Sequence, residues 1–234
     1  IERRWKALQL GDVKADGAYY EAVFLSHLAS EMTALGYRVD RQGRFWDVAG
    51  VPRPLIEQFS RRTSEIEKAA AERGVTDPET KGAMGARTRE RKADELSAAD
   101  LRAAWLGRIG TLDRAALDAV IADAAASGGE DGDATKVAAA ALRYATDHVF
   151  ERRSVATERE IATAALHHSY GQARPDDVAV ATGRAAFVRG SVDGRAMVTT
   201  RAVLEEEKVV IAFARQGRLT CTALGYGRRL PDLA

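Results

Sequence analysis

Cysteine is almost missing from this chain. Cys221 stands alone among 234 residues, so neither an intramolecular disulfide nor a cysteine-based zinc site can form within it. That usage fits a reducing compartment. No apolar run approaches the roughly 18 residues that a membrane helix needs, and no stretch has the makeup of a signal peptide. An excess of one charge is missing too: 35 Lys and Arg stand against 34 Asp and Glu, a net +1. There is thus no global basic field for nucleic acid, and any such contact has to come from a local patch. Nothing matches the phosphate loop G-x-x-x-x-G-K-[ST]. The glycines of "GSVDGRAM" are explained by a hairpin, and "LGYGRR" is too short and too late for a dinucleotide fingerprint. The four histidines, His27, His148, His167 and His168, form no H-x-x-x-H or H-x-H cluster. His167 and His168 are neighbours on a helix and do not share a face. They read as surface or core-edge residues, and no metal site is expected.

What is present is ordinary for a globular protein: 46% apolar and 29% charged residues, in a length that suits one or two domains. The chain starts at Ile1 and opens into charged sequence, as expected of a piece of something longer. "SGGEDGD", residues 127–133, clusters glycine and acid with nothing to bury and reads as a linker. It divides residues 1–126 from residues 134–234.

The expected fold is mainly α with short β-hairpins. Upstream, Tyr20, Val23, Phe24, His27, Leu28 and Leu35 fall at helical spacing, and Gly36 suits the stop. Residues 37–50 read as a hairpin with Gln42-Gly43 at the turn. One helix is expected from Pro54 to Gly74, with Leu55, Phe59, Ile66 and Ala70 buried. Asp77-Pro78 starts another. Ser97 is an N-cap for a helix whose stripe is Leu101, Trp105 and Ile109. Leu117, Val120, Ile121 and Ala124 mark one more. Downstream, Val137, Ala141, Tyr144 and His148 give the stripe of a helix over 135–150. "TERE" is a capping box of Thr157 and Glu160, opening a helix to about Tyr170. A third helix follows from Pro175, then a hairpin turning at Asp193-Gly194, then a final helix ending at Gly217. Three helices followed by a hairpin is the element order of a winged helix.

The adjacent Tyr19 and Tyr20 have the form of the paired nucleophiles of some DNA-nicking enzymes. A tyrosine nucleophile needs a metal or base beside it, and these two sit in a helical stripe, so they read as packing residues. By inventory the chain is non-catalytic. Its most pointed feature is "MGARTRER". On a helix, Arg87 and Arg91 stack at i and i+4, while Arg89 and Lys92 lie at i and i+3. Arg61 and Arg62 follow an aromatic-containing helix start. Such arginines can hold a phosphate backbone. They can equally be neutralised by Glu65, Glu67, Glu90 and Asp94 in surface pairs worth roughly 0–1 kcal/mol each.

The word order adds to this. "VAGVPRPLIEQFSRRTSEIEKAAAERG", residues 48–74, resembles the "I-x-G-[VI]-P-x-x-L-I-x-x-F-S-x-R-x-x-x-I" segment of MobF-type conjugative relaxases of the TrwC/TraI kind. "ARTRERK", Ala86 to Lys92, resembles the family's "A-x-x-T-R-x-x-K", one residue shorter before Thr88. Leu101, Arg102 and Trp105 fit its "L-R-x-x-W". His148, Glu151, Arg152 and Val155 fit "A-x-x-H-x-x-E-R-x-x-V". Thr199, Thr200, Arg201, Leu204 and Glu207 fit "T-T-R-x-x-L-x-x-E" in the helicase region. The collinear words run from about residue 5 to 215.

The resemblance implies a helical relaxase tail followed by a winged-helix-like start of the helicase region. The parent nicks one DNA strand at a transfer origin with a tyrosine and a divalent metal, then unwinds DNA with ATP. The nicking tyrosine and histidine triad precede the matching stretch and the phosphate loop follows it, so no cofactor is expected in this piece. It implies a bacterial cytoplasmic protein whose partner is single-stranded DNA, held by Arg61, Arg62, Arg87, Arg89, Arg91 and Lys92, with wing residues Arg189, Arg195 and Arg201 as a weaker set. Phe45, Trp46 or Trp105 would stack on bases, although both tryptophans also suit core anchors, Trp105 above all. The alternatives are a module docking to a type IV secretion coupling protein, or a structural spacer.

Overall fold

The computed structural model describes residues 10–77, 80–81, 97–128 and 132–218, the side chains of residue 12 and residues 61–64 excepted. Over these residues the protein is mainly helical, with two separate two-stranded antiparallel sheets. The chain divides into two compact units, one of Ile1–Ser30 with Asp131–Ala234 and one of Glu31–Glu130.

Helices α1 (Gly11–Ala15) and α2 (Gly17–Ala34) come first. Gly36 ends α2 as expected. Its N–H donates to the Thr33 carbonyl at 2.9 Å and the Tyr37 N–H to the Met32 carbonyl at 3.0 Å, with Gly36 at φ 89°. That is the Schellman pattern, which favours glycine because the left-handed region costs other residues. A Cβ here would lie 2.0 Å from the Ala124 carbonyl oxygen.

In the unit of residues 31–130, β1 (Val39–Gln42) and β2 (Phe45–Val48) pair from Val39 opposite Val48 to Gln42 opposite Phe45. The turn is therefore Gly43-Arg44, one residue later than the sequence predicts, with Gly43 at φ 62°. The single helix expected from Pro54 is two, α3 (Arg53–Phe59) and α4 (Arg61–Glu72). They break at Ser60, whose ψ of 36° leaves the helical region; serine is a poor interior helix residue. Leu55 and Ala70 are buried as predicted, but Phe59 is exposed. Asp77 caps the next helical residues through the Thr80 N–H at 2.7 Å. Ser97 and Asp100 form a capping box that starts α5 (Ala98–Leu106), and α6 (Thr111–Ser127) follows. No residue of α5 is buried, and Trp105 is 50% exposed, so it is no core anchor.

In the other unit, α7 (Ala134–Phe150), α8 (Glu158–His168) and α9 (Pro175–Arg184) pack on one another. The α8 capping box is present: the Thr157 hydroxyl accepts from the Glu160 N–H at 3.1 Å, and the Glu160 carboxylate accepts from the Thr157 N–H at 2.7 Å. Hairpin β3 (Val188–Val192) and β4 (Arg195–Thr199) turns at Asp193-Gly194, with φ 51° and 77°. Ala156 bridges to Val198 beside it. Thr200 caps α10 (Arg201–Gly217), which buries none of its residues. The core is alanine-rich: Ala138, Ala141 and Ala145 of α7 meet Ile161, Ala165 and Leu166 of α8 and Val178 of α9, joined by Ala22 of α2. Of the expected Val137–Ala141–Tyr144–His148 stripe, Ala141 is buried and Val137 packs against the core, but the other two are not part of the buried face. Small side chains let the helices approach closely, and Tyr144 and His148 lie on the exposed side.

Candidate nucleic-acid interface

The structure describes only part of the sequence-predicted arginine set. Arg61 and Arg62 are the first two residues of α4. Arg87, Arg89, Arg91 and Lys92 lie outside the described residues. Arg195 sits at the start of β4 and Arg201 at the start of α10, both exposed.

Among the predicted stacking residues, the β1–β2 hairpin is the most concentrated. Tight turning at Gly43 brings Arg41, Arg44, Phe45 and Trp46 to one end of a short ribbon, with Arg41 directly opposite Trp46. The Arg44 guanidinium carbon lies 4.8 Å from the Phe45 ring centroid, a cation–π distance. Phe45 is exposed and Trp46 half-buried. Exposed aromatic faces flanked by guanidinium groups are what a single nucleic-acid strand uses for stacking and phosphate contact. At the other end of β2, Asp47 accepts from Arg53 at 3.3 Å and Arg53 reaches Glu57 at 3.1 Å, one guanidinium against two carboxylates, so that end is no site for a phosphate.

A second cluster surrounds the β3–β4 hairpin. Arg159, Arg189 and Arg195 line a cleft of about 370 Å³ together with Asp16 and Glu158. Arg159 occupies the first turn of α8, where the helix dipole disfavours a cation. Asp16 compensates. It is hydrogen-bonded to Arg159 and lies 3.5 Å from Arg195, and its side chain is only 13% exposed. The hydrogen bond and charge of Asp16 hold the Arg159 guanidinium above its ordinary pKa. Arg189 is paired with Glu158 at 2.7 Å. Three guanidiniums against two carboxylates leave a residual positive charge in this cleft. Arg159 was not singled out by the sequence. Its only local signal is its place inside the "TERE" box; its partner is 143 positions away.

Tyr19 and Tyr20 sit edge to face, with centroids 5.6 Å apart, and Arg159 lies 5.6 Å from each ring. Tyr19 packs against the alanine-rich core, as the packing reading expects, whereas Tyr20 is 43% exposed and departs from it. A third aromatic group was missed altogether. Tyr144 stacks on His168 at 3.9 Å and on His148 at 5.8 Å. Among the described residues, no group of three or more His, Cys, Asp or Glu is placed to hold a metal ion. None of their helices is long and apolar enough to cross a membrane.

Two residues from the resemblance to the helicase region have structural roles: Thr200 caps α10 through the Val203 N–H at 3.2 Å, and Glu207 accepts from the Ser154 hydroxyl.

Comparison with known families then bears on the upstream part. Residues 2–112 match the TrwC relaxase family. The match supports a MobF-type conjugative relaxase, and such relaxases act on DNA. It takes in the β1–β2 hairpin, α3, α4 and α5, and also Asp16, Tyr19 and Tyr20. The TrwC relaxase match covers just under half of the chain and ends within α6. No curated protein and no solved structure matches the chain.

Proposed function

We propose that this chain is the bridge of a conjugative relaxase/helicase, and that it holds single-stranded DNA rather than cutting it. The TrwC relaxase match over residues 2–112 is the observation that carries the reading. Within that stretch, the hairpin tip of Arg41, Arg44, Phe45 and Trp46 supplies stacking faces and cations together. The strip Arg87–Lys92 and the start of α4 at Arg61 and Arg62 extend the same role along the chain. In the downstream part, the order α7, α8, α9, β3–β4 and the bridge from Ala156 to Val198 support a winged-helix-like module at the head of a helicase region.

A salt series tests this. Labelled single-stranded DNA is titrated with the full chain and followed by fluorescence anisotropy. The logarithm of affinity is expected to fall linearly with the logarithm of salt, with a slope of about −0.7 per phosphate contact. An Arg41→Ala, Arg44→Ala, Phe45→Ala variant is expected to bind about tenfold or more weakly, from one lost stacking contact and two cations. Absence of binding at low salt overturns the reading.

One observation favours a second reading. Val209, Val210 and Phe213 of α10 are 68%, 63% and 77% exposed, an apolar surface of the sort that docks a protein. On that reading the downstream part engages a type IV secretion coupling protein. Capture of that partner by the full chain, lost on Val210→Asp and Phe213→Asp and unaffected by the hairpin variant, separates it from DNA holding.

A further inference from the structure

We propose that the His148–Tyr144–His168 ring stack is a platform for one unpaired nucleobase. The proposal rests on the DNA-holding reading and adds a place for a base outside the relaxase-matched stretch. Tyr144 stacks with two imidazoles: His168 at 3.9 Å with planes 19° apart, and His148 at 5.8 Å with planes 6° apart. Both spacings are those of stacked aromatic rings. The array lies at the edge of the core rather than inside it. Ala138, Ala141 and Ala145 of α7 are buried, whereas Tyr144 on the flank of that face is 46% exposed, His148 is exposed and His168 is half-buried.

The stack is also rigid before any ligand arrives. Tyr144 and His148 stand on α7 and His168 on α8, and these two helices are locked by the alanine-rich core. A base arriving on the solvent side therefore meets ordered π-surface and gives up little ordering entropy of the protein. Every base has a π-face, so such a platform accepts any base. Arg152, just past the end of α7, is exposed and is the cation offered for a flanking phosphate; Arg143, also exposed, turns toward α9. Asp147 lines the same groove as Arg143 on the α9 side, so phosphate contact is expected weaker there than near Arg152.

The test compares two labelled oligomers of equal length on the full chain: oligothymidine and its abasic deoxyribose-phosphate counterpart. The wild type is expected to prefer the base-bearing oligomer by more than about tenfold, since Phe45 and Trp46 of the hairpin stack on bases too and the platform adds the worth of one more. His148→Ala and Tyr144→Leu are expected to cut that preference severalfold and leave affinity for the abasic oligomer unchanged. Melting curves check that both variants fold, and His148→Ala changes only an exposed side chain. If oligothymidine binds but both variants keep the full preference, the platform is overturned and the DNA-holding reading stands. If neither oligomer binds, the DNA-holding reading fails. Millimolar thymidine 5′-monophosphate then decides the platform: upfield shifts of the His148 ring protons in NMR support it, and unmoved resonances overturn it.

Discussion

Tyr170 is 3% exposed at the end of α8. Burial, with the nearby Glu21 carboxylate adding to it, pushes its hydroxyl up to about 12 from the ordinary 10.0. The folded protein thus favours the neutral phenol, and the unfolded chain releases the proton first as pH rises. Stability from this group is complete below about pH 10 and is lost between pH 10 and 12. Urea midpoints between pH 8.5 and 11 are expected to fall in the alkaline arm and to flatten in Tyr170→Phe. An equally steep fall in the Phe variant would assign the loss to other groups. The same residue-scale logic separates tyrosines by role. Tyr170 is held neutral in the core, Tyr19 packs against that core, and Tyr144 offers its ring to solvent.

At the scale of elements, helix ends are set by short local circuits. The α8 box is the clearest. Burial raises the Glu160 carboxyl, but the Thr157 N–H and hydroxyl and the Arg153 guanidinium at 2.8 Å outweigh it and leave it below its ordinary value. Its contribution is therefore present above the ordinary carboxylate range and fades as pH drops below it. Thr157→Ala is expected to cost about 1 kcal/mol, read from denaturant midpoints at neutral pH, with a smaller cost near pH 3. A pH-independent cost would mean that the charged carboxylate is not part of the cap. This box, the Ser97 cap, the Gly36 stop and the Asp193-Gly194 turn were all legible in the sequence, because each closes its hydrogen bonds within five residues or fewer. The break at Ser60 and the one-residue shift of the first hairpin turn were not. Both depend on a choice between neighbouring backbone states that residue type only biases.

At the scale of the whole chain, residues 1–30 group with residues 131–234, and Ala22, fully buried, is part of the core of α7, α8 and α9. Ala22→Asp places an unpaired charge there and is expected to destabilise by about 3 kcal/mol or more. Hydrogen exchange reads the consequence: amides of α7 to α9 should lose protection before those of α6. Equal loss in α6 would contradict the grouping. The sequence by itself determined the helical class, the two hairpins, the caps and, over residues 48–105, words that fall inside the stretch matching the TrwC relaxase family, since all of these rest on neighbours a few residues apart. Only the tertiary structure decided which face of α7 is buried, that Trp105 is half-exposed, and that Asp16 joins Arg159 and Arg195. Alanine gives little contrast in a hydrophobic pattern yet permits the closest helix approach, and an ion pair spanning 143 positions leaves no periodic trace in the chain that forms it.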